Sequence, residues 1–285
     1  MLIFCLAWVV KAYCLDWKAM HEAAGKEDLN LAQVKFEADG SRSLDDLYEA
    51  GLACLNQHRN DEAENIFNKI IEFDSQYYPA KWGIAEVLRR KHQLDEAQRI
   101  TKEVIREHAD FSPAYITLAY IEYLKLNLDQ AVNLALLVIK RGAKNVDLSN
   151  FSRAYLIYGG AKGLIAHRGG PLAKMFNGTL VLPALKKAQK LQPDSAVIFL
   201  GLGGFYVLAP GFAGGDLDKG IGLLQKAIKV DPNLADAYAR LAQAYKIKGE
   251  PAKYAEYLNK ALEIDPENEL ALDTQSQECK YACRP

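Results

Sequence analysis

Residues able to do chemistry are few and widely spaced in this 285-residue chain. The five histidines, at positions 21, 58, 92, 108 and 167, are scattered; they form no His-Glu-x-x-His pair and have no cysteine partners. The spacing therefore supports neither a zinc hydrolase nor a structural zinc site. Gly201-Leu-Gly203-Gly204 lacks the preceding strand that a dinucleotide-binding loop needs. Arg168 and Lys174 could meet an anion, but one cation pair in a segment is common background. Cys54 reads as a small apolar core residue. Cys279-Lys-Tyr-Ala-Cys283 either forms a local disulfide in an oxidising compartment or ends the chain as free thiols. We expect no catalytic residue, no metal and no cofactor. Function should rest on binding.

Thirty-five basic and thirty-six acidic residues leave a net charge of −1. That balance removes the electrostatic basis for nucleic-acid binding and for polybasic attachment to anionic lipid. Leu2 to Val10 is an apolar run too short to span a bilayer, but it has the length of a signal-peptide core. Ala12 and Cys14 follow it as small residues a peptidase accepts, although no Lys or Arg precedes the run. Residues 1–14 are expected to be a signal peptide, giving a periplasmic or extracellular protein. The alternative is a buried first helix on a cytoplasmic chain. Neither Cys5 nor Cys14 follows a lipobox, so no lipid anchor is expected.

The elements that must position any binding surface are set by a period. Ala63, Ala97 and Ala131 stand at intervals of 34 residues, and Pro232 and Pro266 repeat the interval. A period of this size marks tandem helix pairs that bury their apolar faces only by stacking. Within each pair, small residues recur where helices A and B cross, because a larger side chain would push the axes apart. The first unit shows Ala50, Gly51 and Cys54, then Ala63 and Phe67; the last complete one shows Tyr238, Leu241, Ala242, Tyr245, Gly249, Ala261 and Pro266.

These joint positions resemble the tetratricopeptide repeat (TPR) from about residue 44 to 268. The resemblance implies an all-α fold: a right-handed superhelix, or α-solenoid, of about six antiparallel helix pairs. An irregular N-terminal cap at 15–43 and a C-terminal capping helix and tail at 269–285 should close the ends.

Two units are longer than the rest. In the fourth, about ten extra residues fall between His167 and Thr179; in the fifth, about five fall in Ala209–Gly215. Both are expected to be inserted loops on one face, often the binding face of a solenoid. Asn177-Gly178-Thr179 fits a glycosylation sequon; because the chain has a bacterial character, it is read as a turn followed by a Thr cap. Asp216 or Asp218 is expected to cap the helix after the second insert.

Two sites follow. Projecting the helical period onto the inner face of the A helices gives a groove of Tyr48, Trp82, Glu86, Arg89, Arg90, Tyr120 and Tyr123, suited to a protein or peptide partner. A Lys/Asn carboxylate clamp is not expected, because its slots hold Trp82, Glu86 and Ile116. Further on, glycines remove side chains from consecutive A helices, and Gly160, Gly163, Phe199, Gly204, Tyr206, Pro210 and Phe212 outline an apolar small-molecule pocket. The run Pro210-Gly-Phe-Ala-Gly214-Gly215-Asp216 with Lys219 also resembles the TatT-type TPR components associated with TRAP transporters, over one unit and its loop. That likeness implies a periplasmic, transport-associated role. The expected function is a non-catalytic scaffold that binds a partner through its groove, with the apolar pocket as alternative.

Overall fold

The computed structural model describes residues 17–24 and 43–281. The expectations for residues 1–14, for most of the 15–43 cap and for Cys283 lie outside the described residues. Among the described residues there are fourteen α-helices and no strand. After α1 (Trp17–Ala24) come six consecutive pairs. They are α2 (Leu44–Asn56) with α3 (Asn60–Phe73), α4 (Tyr78–Arg90) with α5 (Leu94–Glu107), and α6 (Ser112–Leu124) with α7 (Leu128–Arg141). Then follow α8 (Leu148–Arg168) with α9 (Pro171–Leu191), α10 (Ala196–Leu208) with α11 (Leu217–Val230), and α12 (Ala235–Lys248) with α13 (Pro251–Ile264). A short α14 (Glu269–Ser276) closes the order.

The periodic alanines sit where the pattern requires. Ala63, Ala97, Ala131, Ala227 and Ala261 are all 0% exposed on their B helices, allowing the paired axes to approach. The first two units share a tighter device. The Phe67 ring, fully buried on α3, lies between Gly51 of α2 and Gly83 of α4; a Cβ on either glycine would come within 2.4 or 2.6 Å of it. The turn from A to B helix repeats as well. His58, His92 and Leu126 each adopt the left-handed conformation (φ 61, 58 and 61°) that Gly249 supplies in the sixth pair.

The fourth unit differs from its expectation. The extra residues form no loop: α8 and α9 each run for 21 residues, where α2 and α3 have 13 and 14. Only Gly169 and Gly170 separate them, with Pro171 preset for the first turn of α9. A Cβ on Gly169 would meet that of Ala173 at 2.3 Å, so the tight reversal needs the glycine. Asn177-Gly178-Thr179 is therefore mid-helix rather than a turn and cap, and the Thr179 hydroxyl donates back to the Met175 carbonyl at 3.2 Å. A Leu/Ala/Met/Lys-rich segment extends helices more readily than it forms a loop. In the fifth unit the insert is a loop. Gly211–Ala213 make one 3₁₀ turn, Gly214 takes φ 91°, and Asp216 caps α11 by accepting from the Lys219 amide.

The superhelix curls until its two ends meet. His58 pairs with Asp231 at 2.9 Å, and His92 with Asp265 at 3.0 Å and Glu269 at 2.9 Å. The Tyr281 hydroxyl donates to the Leu124 carbonyl at 2.6 Å, and Arg240 donates to the Tyr281 carbonyl at 2.9 Å. Near the start, α1 inserts His21 beside Tyr48 and Lys18 reaches the Lys144 carbonyl. The open groove expected from the sequence is thereby closed into a ring.

Candidate functional site

The ring surrounds a central, partly open cavity of about 1950 Å³, bordered by residues from units one to six and by α14 and Tyr281. The groove and pocket foreseen as separate sites meet in it. Glu86, Arg89, Arg90, Tyr120 and Tyr123 line it, as do Gly160, Gly163, Gly204, Pro210 and Phe212. Four expected residues do not. Tyr48 and Trp82 are core residues, 0% and 5% exposed: α1 covers the face they were assigned to, with His21 packed on both rings. Phe199 packs with Ala227 and Ala237, and Tyr206 with Val181, Leu185 and Ile198, because their side of α10 faces neighbouring helices.

One end of the cavity is polar. The Trp82 indole donates to Thr117 at 2.9 Å, and the Thr117 hydroxyl donates to Glu86 at 3.0 Å. Arg89 grips Glu86 through both forks (2.6 and 3.0 Å), and Arg90 reaches it at 3.3 Å. Burial alone would raise the Glu86 carboxyl, but Arg89, Arg90 and Arg153 together hold it well below the usual range. Arg89 also lies over the Tyr120 ring at 4.8 Å, and Tyr120 stacks on Tyr123. Across the cavity, Tyr120 approaches Asp236 at 3.4 Å, and burial raises that carboxyl.

The other end is apolar. Leu156, Val181, Leu185, Val197, Leu200 and Phe205 face it. The glycines divide into two kinds. Gly159 and Gly203 serve close helix crossings: a Cβ on Gly203 would meet Leu224 at 2.7 Å and the Gly220 carbonyl at 3.1 Å. Gly160, Gly163 and Gly204 meet nothing nearer than 3.6 Å, so their missing side chains leave space in the cavity.

Two tetratricopeptide-repeat profiles match the chain, at residues 55–119 and 223–253. With the stacked pairs above, they decide the family. The chain is a tetratricopeptide-repeat protein. Among solved structures it is similar to the Cut9–Hcn1 hetero-tetramer of the APC/C (18% identity, 94% of this chain, 50% of that one, TM-score 0.58). It is also similar to YrrB, described as a TPR protein with an unusual peptide-binding site (21%, 74% and 97%, TM-score 0.37). PilF of Pseudomonas aeruginosa is a third (12%, 82% and 97%, TM-score 0.47). At these identities the likeness concerns fold alone. No curated protein matches this TPR chain at a significant level.

The histidines at 58 and 92 were read as scattered, yet this TPR protein uses them at its closure. Their 34-residue interval equals that between Asp231 and Asp265, and each His–Asp pair is separated by 173 residues. The shared interval follows from the repeat, while the pairing depends on how far the superhelix turns. Among the described residues no group of His, Cys, Asp and Glu could hold a metal ion, and no helix is long and apolar enough to cross a membrane.

Proposed function

We propose that this TPR protein is a non-catalytic binding module whose protein partner docks on the projecting half of the α8–α9 hairpin. The observation that supports it is a stripe of exposed apolar side chains. Leu172, Phe176 and Leu180 stand one helical turn apart on α9, 68%, 64% and 39% exposed, with Met175 beside them. Phe212, 96% exposed, stands in the loop of the next unit. Such grouped exposure is costly unless another surface covers it. The groove around Trp82 is not available for this, because α1 fills it.

The test is capture of a protein partner by the full chain and by an L172D/F176D variant. Loss of capture with unchanged helical circular dichroism supports the reading; a variant that retains every partner overturns it. A second reading, an apolar ligand held in the central cavity in the manner of a transport-associated component, is favoured by the space left at Gly160, Gly163 and Gly204. Native mass spectrometry of the purified chain tests it, an empty cavity counting against. Export of the chain belongs to the same proposal and is checked by N-terminal sequencing of the mature protein.

A further inference from the structure

We propose that the polar end of the cavity is a carboxylate site, where Arg90 and Arg153 receive the head of a monocarboxylate whose apolar body lies along α8. The proposal rests on the cavity-ligand reading above and adds the chemistry of the ligand. Three guanidinium groups, from Arg89, Arg90 and Arg153, act on the single carboxylate of Glu86. Arg89 is occupied, holding Glu86 bidentately beneath its stack with Tyr120. Arg90 spends one nitrogen on Glu86 and another on the Leu55 carbonyl.

Arg153 borders the cavity, and among the described residues no hydrogen bond or ion pair is made to it. The other carboxylates on the wall are committed elsewhere. Asp231 goes to His58, Asp265 and Glu269 to His92, Asp236 to Asn268, and Glu263 to Lys260. Asp147, beside His21, caps α8. The cluster thus keeps an excess of positive charge on the cavity wall, with Arg153 partly exposed to it. Consistent with that, burial with repulsion from Arg89 and Arg153 brings Arg90 down to about 10.

The position of Arg153 sets the shape of the ligand. One and two turns further along the same face of α8 come Leu156 and Gly160, then Gly163, all on the cavity wall. From Arg153 to Gly163 is roughly 15 Å of helical rise. Opposite lie Leu185, Val197, Leu200 and Gly204. A charged head and an extended apolar body match that sequence of surfaces, with charge-assisted hydrogen bonds fixing the head. A neutral apolar molecule would leave Arg153 without a partner.

Calorimetric titration of the full chain with decanoate and with decanol tests this. The expected result is decanoate bound about tenfold or more tighter than decanol. Arg153→Gln should cut decanoate affinity by about tenfold and leave decanol unchanged, while Arg153→Lys retains most of the preference. Arg153 has no internal hydrogen bond to lose, and circular dichroism checks that both variants fold. Equal binding of the two probes, or no effect of Arg153→Gln, overturns the carboxylate site and leaves an apolar cavity standing. Binding of neither probe overturns the cavity reading itself, and the carboxylate site with it.

Discussion

At the residue scale, His92 carries the clearest electrostatic consequence. Hydrogen bonds to Asp265 and Glu269 raise its pKa to about 10, against partial burial that would lower it. A group whose pKa rises on folding stabilises the fold fully below its unfolded value, and the contribution fades as pH climbs to the folded value. The window is therefore from about 6.5 to about 10. Denaturation midpoints measured across it should fall with pH in the wild type. In His92→Asn, which tolerates the left-handed backbone but lacks the imidazole, that slope should flatten. Equal slopes would show that the clasp adds nothing. His21 behaves oppositely: burial holds it down to about 4, so it stays neutral across the same range. Neither role was visible in the sequence, where a histidine carries no mark of the distant carboxylate it will meet. The repeated interval at 58 and 92 was visible; which acids answer it depends on how far the superhelix turns.

At the element scale, the helix pairs were legible because small residues must recur at crossings, and Ala63, Ala97 and Ala131 do. The fourth unit was misread for a physical reason. Gly169-Gly170-Pro171 and Asn177-Gly178 both look like turns, but only the first reverses the chain; a Cβ on Gly178 would meet nothing nearer than that of Ala166 at 3.9 Å. Local composition cannot tell a turn glycine from one carried inside a helix. Phe67 offers a sharp test of such packing. Gly51→Ala and Gly83→Ala each drive a methyl into its ring from opposite sides, and overpacking of this kind costs about 1–3 kcal/mol. Urea denaturation should show both losses. Adding Phe67→Leu should make either glycine change less costly than it is in the wild type, since the smaller side chain yields space. Strict additivity would mean that ring and glycines do not share one gap.

At the scale of the whole molecule, closure decides what the binding surface is. An open superhelix would expose Tyr120 and Tyr123 along a groove; closed, they face Asp236 and Tyr281 across a cavity. The His58–Asp231 and His92–Asp265 pairs sit one repeat apart along that closure, both partly exposed. Exposed ion pairs contribute about 0–1 kcal/mol each. Removing both should shift the balance between closed and open rings by up to roughly 2 kcal/mol, about thirtyfold. The remaining ties, His92 to Glu269, Tyr120 to Asp236, Tyr281 to Leu124 and Arg240 to Tyr281, hold in either case. In D231N/D265N, amide hydrogen exchange should quicken at the turns around His58 and His92 while the helices of units two and three keep their protection. Small-angle scattering should show a larger radius of gyration. If exchange and scattering both match the wild type, the ties that remain suffice to close the ring. If both change, the two histidine pairs are what holds the ring closed.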